Sequence, residues 1–116
     1  MYFQMNFKTP KLNELRLIGE FRGTPRISET KSGTLMVRRT ISVARSWTDD
    51  GGTYCEEFDD FETVSWGKVA DIVKDIKSGS LVLIMGKVKL EQWYDDADVQ
   101  KSAVRIACDC VQFLCS

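Results

Sequence analysis

The segment WGKVADIVKDIKSG, Trp66–Gly79, decides the fold, because it interrupts an otherwise alternating pattern of apolar and polar residues. Its apolar residues recur at i, i+3, i+4 and i+7, which is the spacing of one face of a helix. A glycine directly after such a run is typical of the residue that follows a helix. The sequence therefore predicts a short amphipathic helix that ends at Gly79, with four residues on its apolar face: Val69, Ile72, Val73 and Ile76.

Strands are predicted on both sides of this helix, because apolar and polar residues alternate there and β-branched residues are frequent. Turn-forming residues separate the strands near Ser32-Gly33, Gly51-Gly52 and Asp95-Asp96. The predicted strands are Glu14–Ile27, Thr34–Trp47, Phe58–Trp66, Leu81–Trp93 and Val99–Leu114.

The order of these elements is three strands, one helix and two strands. Gly19 and Gly86 fall within long strands, where a sheet must bend to close. Together these features predict an all-β fold, the five-stranded OB-fold Greek-key barrel with one short helix between strands 3 and 4. Other small barrels lack a helix at that point. The exposed strand face and loops of an OB-fold often bind single strands of nucleic acid.

The length and composition of the chain fit one domain. With 116 residues, 43% hydrophobic and 28% charged, it can bury a core without disulfides or metals. The first four residues, MYFQ, look like the remnant of a cleavable expression tag, so the domain is assigned to residues 5–116. The longest apolar run, Leu81–Met85, is too short to cross a bilayer. We expect a cytoplasmic protein from a bacterium, plasmid or phage, or one from an organelle matrix.

The residue types present argue against catalysis and against a metal or cofactor site. The chain has no histidine, which removes the commonest general base and zinc ligand. A nucleophilic cysteine would therefore lack its usual partner, and the adjacent Asp59 and Asp60 would point to opposite faces of a strand. The sequence predicts a binding protein without cofactor, metal or enzymatic activity. The cysteines do not follow a zinc-knuckle pattern and are interpreted as apolar thiols: Cys55, Cys108, Cys110 and Cys115.

Several short motifs follow one another between about Leu12 and Leu114. They are LNELRLIG (12–19), TP (24–25), SGT (32–34), SW (46–47), WGKVADIV (66–73), KSGSLVLIMGKV (77–88), QWYD (92–95) and VQFL (111–114). With these motifs in this order and spacing, the chain resembles the bacterial-type single-stranded DNA-binding proteins. The resemblance implies an OB-fold that binds single-stranded DNA without sequence preference, in replication, recombination or repair, and usually as a homotetramer.

The resemblance also implies which side chains contact DNA. The three tryptophans, Trp47, Trp66 and Trp93, coincide with stacking positions of the family. One tryptophan in a small domain is usually part of the core, but three that stand beside turns favour stacking. A base offers a flat π-face whatever its identity, so aromatic side chains can hold any sequence. Phosphate contacts are expected from four basic residues: Arg45, Lys68, Lys87 and Lys89.

The stretch FDDFE, residues 58–62, departs from the family pattern. Where the family has an aromatic residue six positions before Trp66, this chain has Asp60, and Phe61 follows one residue later. In a regular strand, Asp60 and Glu62 share the face of Trp66, while Phe61 lies on the other face. A one-residue bulge would instead bring Phe61, a further candidate DNA contact, beside Trp66. The sequence leaves both arrangements open.

Few basic residues stand on the hairpin that leads to Trp93. Only Lys87 and Lys89 remain where the family tends to carry several, and the net charge of the chain is −1. Fewer counterions are then released on binding, so we expect weaker affinity and a shallower salt dependence than for a strongly basic relative.

The expected partners are single-stranded DNA, further copies of the chain and, as a further possibility, replication or recombination proteins. By resemblance, the edge formed by LRLIGEF (15–21) pairs in a dimer, and two dimers form the tetramer. An alternative function is an OB-fold adaptor that binds replication or recombination proteins with little affinity for DNA. The near-zero net charge and the acids of DDFE (59–62) favour that alternative.

Overall fold

The computed structural model describes residues 9–116, so the proposed tag at residues 1–4 and the start of the domain at Met5 lie outside the described residues. The described chain contains five long strands and one short helix, in the predicted order. They are β1 (Leu15–Glu29), β2 (Leu35–Thr48), β3 (Tyr54–Trp66), α1 (Gly67–Val73), β4 (Leu81–Tyr94) and β5 (Gln100–Cys115).

The strands form a closed barrel in the order β1-β2-β3-β5-β4. The β1–β2, β2–β3, β4–β5 and β1–β4 pairs are antiparallel. A short parallel contact between β3 and β5, Thr63 with Ile106 and Val64 with Ala107, closes the barrel. The predicted five-stranded OB-fold with a helix between strands 3 and 4 is therefore confirmed.

The core fills the barrel and continues under α1, which contacts β2, β3 and β5. Ala70 and Val73 of the helix are completely buried, and Val69 and Ile76 pack against the core. Ile72, which the sequence places on the apolar face, is instead 53% exposed, because the short helix turns only a narrow stripe inward. The largest buried side chains are Phe21, Ile41, Ile84, Val37, Val64, Val73 and Val82.

Two predicted element boundaries are wrong. The helix ends at Val73 and not at Gly79, because the backbone tightens to i→i−3 bonds, with Asp75 N donating to Ile72 O at 3.2 Å. Gly79 lies in the following turn, where its N–H donates to Phe21 O at 2.8 Å. The third strand begins at Tyr54 and not at Phe58, since it pairs with β2 along the whole hairpin. No helix in residues 9–116 is long and apolar enough to span a membrane.

Two glycines lie where the barrel backbones come closest. A β-carbon at Gly19 would overlap the carbonyl oxygen of Ser42, and one at Gly86 would overlap that of Ala107. Gly86 also lies at a bulge, because Met85 pairs with Cys110 and Gly86 with Cys108, which leaves Asp109 without an opposite residue. The two glycines therefore allow neighbouring strands to approach where the sheet bends, as their mid-strand positions predict.

Within residues 9–116, the first third of β1 has one edge that pairs with no other strand. Residues 15–19 pair with β4, whereas pairing with β2 begins only at Glu20. Ile18, on this stretch, is 54% exposed. The backbone groups on the other edge are therefore available to a further strand.

Candidate nucleic-acid interface

The pairing of β2 with β3 decides which aromatic side chains share a face. The ladder runs without a shift from the Met36–Trp66 pair to the Thr48–Tyr54 pair, so no bulge separates Phe61 from Trp66. Side chains alternate along such a strand, and Phe61 therefore lies on the face opposite Trp66. The aromatic residues of β3 that share the face of Trp66 are Phe58 and, at the far end of the strand, Tyr54. Asp60, Glu62 and Val64 lie between Phe58 and Trp66 in the alternation.

Trp66 and Trp93 border one surface of the barrel, although they belong to different strands. Trp66 ends β3, and the Lys89 ammonium lies 4.7 Å from the centroid of its ring. Trp93 lies near the end of β4, is 42% exposed, and has the Arg105 guanidinium 6.0 Å from its ring centroid. Two of the three predicted stacking residues are thus brought to a common surface.

This surface, which we call the groove, contains a cavity of about 550 Å³. Strands β2 and β5 each supply one lining residue, and the second half of β4 supplies the others. Trp66 is not a lining residue, but its ring contacts Lys89, which is. The cavity is lined by Arg38, Lys89, Leu90, Glu91, Gln92, Trp93 and Arg105.

A cluster of ion pairs forms the floor of the groove. Arg38 donates to both oxygens of Glu91, with Nη2–Oε1 at 3.0 Å and Nη1–Oε2 at 3.3 Å. Glu62 bridges three arginines: Arg26 Nη2 at 2.7 Å, Arg105 Nε at 3.3 Å and Arg38 Nη1 at 3.4 Å. Every strand of the barrel contributes one member of the cluster, which therefore links all five strands at this surface.

The cluster shifts the ionisation of its members toward the charged forms. The hydrogen bond to Glu91 raises the pKa of Arg38 and outweighs the opposing effect of burial. Burial alone would raise the pKa of Glu62, but the hydrogen bond from Arg26 and the charges of Arg105 and Arg26 together lower it. For Arg38 and Glu62, these pKa shifts favour the charged form of each group.

The lysines predicted to contact phosphate lie at the rim of the groove or beside it. Lys87 and Lys89 are exposed on β4, on the side that also carries Glu91 and Trp93. Lys68 is exposed at the start of α1, directly after the turn at Gly67, whose φ is +62°. Within residues 9–116, none of these three lysines forms an ion pair with a carboxylate, so their charges are unopposed.

The remaining predicted contacts lie on the hairpin of β2 and β3, on the side away from Trp66. Trp47 is 38% exposed, and the Arg45 guanidinium lies 5.0 Å from its ring centroid. Arg45 also pairs with Asp59 at 3.0 Å and Glu57 at 2.9 Å, and the hydrogen bond to Asp59 raises its pKa. Phe61 lies on this same side. It pairs with Ile41, which is an even number of residues from Trp47 in β2, and such residues share one face of the sheet. We call this second surface the arm face.

Several residues of this interface were not predicted from the sequence. Phe58 is 53% exposed and has the Arg22 guanidinium 5.5 Å from its ring centroid. Counting back from Trp66 by twos, which already placed Glu62 on its face, would also have found Phe58. Glu91 and Arg105 gave no comparable signal, because their position beside Arg38 and Glu62 depends on the register of β4 and β5.

The cysteines do not gather into a site. Cys108 is buried, and burial raises the pKa of its thiol to about 11. Cys110 and Cys115 are exposed on β5, and Cys55 is partly buried on β3. In the part of the chain that the structure describes, no three His, Cys, Asp or Glu residues lie close enough to hold a metal ion.

Curated proteins with sequences similar to this chain are named single-stranded DNA-binding proteins. Single-stranded DNA-binding protein 1 of Chlorobaculum tepidum is 33% identical over 105 residues, which cover 89% of this chain and 65% of that protein. The single-stranded DNA-binding protein of Aquifex aeolicus is 32% identical over 104 residues, which cover 89% of this chain and 70% of that protein. The chain thus spans about two thirds of the length of these relatives.

Solved structures and a family model agree with this result. A Plasmodium falciparum SSB in complex with ssDNA superposes with a TM-score of 0.80 at 19% identity, over 93% of this chain and 99% of that chain. The wild-type single-stranded DNA binding protein from Thermus aquaticus gives 0.74 at 24% identity, over 89% of this chain and 50% of that one. These likenesses show a common fold. Because the model of the single-strand binding protein family matches residues 12–114, nearly the whole described barrel, the chain belongs to that family.

Proposed function

We propose that this protein binds single-stranded DNA without strict sequence requirement and protects or organises it in replication, recombination or repair. The observation that carries the proposal is the groove, where exposed Trp93 and partly buried Trp66 lie beside the unopposed cations Lys87 and Lys89. Stacking on aromatic rings combined with contacts to a charged backbone is how proteins hold single strands of any sequence. The proposed function is binding and involves no covalent chemistry, so we propose that the protein is not an enzyme.

The arm face supplies a second set of contacts in this proposal. Trp47 and Phe61 offer further aromatic surface, and Arg45 stacks against Trp47. Arg45 is bound to two carboxylates, so it contributes less to phosphate binding than the free lysines do. We assign the main phosphate contacts to Lys87 and Lys89, with Lys68 extending them past Trp66.

Tryptophan fluorescence tests this function directly. Titration with poly(dT) at low salt should quench the fluorescence, and W66A and W93A should each weaken binding by about 1–3 kcal/mol, the usual contribution of one stacked base. Y94A is the matched control, because Tyr94 is the neighbour of Trp93 in β4 and is 67% exposed, yet points to the other side of the strand. Its affinity should equal that of the wild type.

Absence of quenching at low salt would contradict the proposal. The protein would then fit the adaptor function that the near-zero net charge favours. Equal losses in W93A and Y94A would also contradict it, since they would mean that the groove is not the site of contact.

We further propose that the protein acts as a homo-oligomer, a tetramer built from dimers. The open edge of β1 at residues 15–19 and the exposed Ile18 support pairing with a second copy. Light scattering coupled to size-exclusion chromatography should give four times the mass of the chain, and a monomer would contradict this. Because the curated relatives are bacterial, we propose that it works in the cytoplasm, with replication or recombination proteins as further partners.

A further inference from the structure

The floor of the groove is unusual for a surface that meets phosphates, because it alternates positive and negative charge. The Arg38 and Arg105 guanidiniums are held against Glu62 and Glu91, and the side chains of these four residues are only 20–28% exposed. Each carboxylate would repel a phosphate at the same depth. Phosphates therefore fit the rim with Lys87 and Lys89 better than the floor.

The edge of a base fits such a floor, because it presents hydrogen-bond donors and acceptors side by side. A ring stacked on Trp93 turns its edge toward the lining of the cavity, where Arg38, Glu91 and Arg105 stand. The cavity of about 550 Å³ is large enough for a nucleobase. Glu91 accepts from Arg38 with one lone pair on each oxygen, which leaves further acceptor capacity on the same carboxylate.

Guanine has edges that match both the arginine guanidiniums and the carboxylate of Glu91. Its N7 and O6 accept from arginine, the commonest specific contact in nucleic-acid recognition, and its N1–H and N2 amine can donate to a carboxylate. Thymine offers a single ring N–H and no exocyclic amine. Resting on the proposed function, we propose that Glu91, together with Arg38 and Arg105, reads base edges in the groove and gives this single-stranded DNA binder a preference for guanine over thymine.

The preference can be measured with oligonucleotides of equal length. One contains only thymines, a second carries single guanines separated by thymines, and in the third and fourth inosine and adenine replace those guanines. Spaced guanines avoid quadruplexes. One good pair of hydrogen bonds discriminates at least about fivefold, so the guanine strand should bind about fivefold tighter than the thymine strand. Inosine, which lacks the N2 amine, should lose most of this advantage. Adenine controls for the stronger stacking of purines.

The variant E91Q keeps the shape of the side chain and removes the charged acceptor. It should lose the preference for guanine, measured within the variant as the ratio of its affinities for the guanine and thymine strands. E29Q is the matched control, since Glu29 is exposed at the end of β1 and pairs with no described cation. It should retain the full preference.

Equal affinity of the wild type for guanine and thymine strands would overturn this inference while leaving the proposed function intact. A preference that persists in E91Q, or that inosine and adenine reproduce, would also overturn it, because stacking would then explain the difference. Absence of binding to every strand would overturn the proposed function and this inference together. The inosine comparison uses the wild type alone, so it decides the question even if E91Q does not fold.

Discussion

At the scale of single residues, the basic side chains of the groove form two groups, lysines without an ion pair and arginines that are paired with carboxylates. Lys89 combines an unopposed charge with a contact to Trp66, whereas Arg38 and Arg105 are committed to carboxylates. A cation that is already paired contributes little to counterion release when DNA arrives. The salt dependence of binding should therefore follow the lysines and not the arginines.

This leads to a prediction for K89A. The slope of log Kd against log salt for poly(dT) should become shallower by about 0.7, the value for one phosphate contact on a single strand. K74A is the control, because Lys74 follows α1 and is paired with Asp71 and Asp75. Identical slopes for wild type and K89A would remove Lys89 from the interface.

The sequence indicated which residue types could form the candidate interface, but not which of them share a face. Trp66 and Trp93 lie on the side of the groove, whereas Trp47 and Phe61 lie on another face. Face assignment depends on whether a strand contains a bulge, and a single extra residue reverses it. No local feature of FDDFE distinguishes the two cases, so only the observed register could decide.

At the scale of elements, β2 and α1 are joined by a charge with no ionic partner among the described residues. Arg39 is 3% exposed, donates from Nη1 to Val73 O at 2.8 Å, and stacks its guanidinium 5.0 Å from the centroid of Phe21. The Arg39 Nε has no hydrogen-bond partner within residues 9–116, and burial lowers the pKa of the guanidinium. A buried charge without a counterion is costly to desolvate.

We therefore predict that R39M stabilises the fold. Methionine keeps most of the volume and removes the buried charge, so the free energy of unfolding in urea should rise by about 1 kcal/mol. R39A should instead lower it by about 2–4 kcal/mol, because it leaves a cavity. A loss of stability in R39M would mean that the bond to Val73 outweighs the cost of desolvation.

The bend of β4 leads to a second prediction at this scale. G86A should lower the free energy of unfolding by about 1–3 kcal/mol, because the added β-carbon overlaps the carbonyl oxygen of Ala107 and forces two strands apart. The control is G51A in the β2–β3 turn, where the β-carbon would lie at an ordinary 3.5 Å from Asp49 Oδ1. Equal stability of the two variants would contradict the close approach.

The elements themselves were predictable because their patterns are long. Five stretches with alternating residues and one stretch with helical spacing were enough to predict the order of the elements in the barrel. The errors concerned only where two elements end or begin. The helix stopped six residues before Gly79, and β3 began four residues before Phe58. Both errors arise from contacts distant in sequence: the turn after α1 donates to Phe21, and β3 is extended by its pairing with β2.

At the scale of the whole molecule, the ion-pair cluster links the five strands, and its stability should depend on pH. The pKa of Glu62 is lower in the folded chain than in the unfolded one, so its ion pairs stabilise the fold fully above about pH 4.3 and less as the pH falls below it. E62Q should cost about 1–3 kcal/mol of unfolding free energy at pH 6.

The difference between wild type and E62Q should shrink as the pH is lowered toward 3, because the wild-type carboxylate is then protonated too. Urea denaturation at several pH values measures this. E29Q is the control at pH 6, where its unfolding free energy should equal that of the wild type, since Glu29 pairs with no cation in residues 9–116. A constant difference for E62Q would show that its effect comes from packing and not from charge.

The unbroken ladder of β2 and β3 also sets the path that a bound strand must follow. Trp47 lies opposite Cys55, which is eleven residues or about 36 Å along β3 from Trp66, and on the reverse side of the ribbon. A DNA strand that reaches both tryptophans must pass over the edge of this hairpin. Short oligonucleotides would then fill only the groove, and the contour length of the DNA would determine how much of the protein it engages.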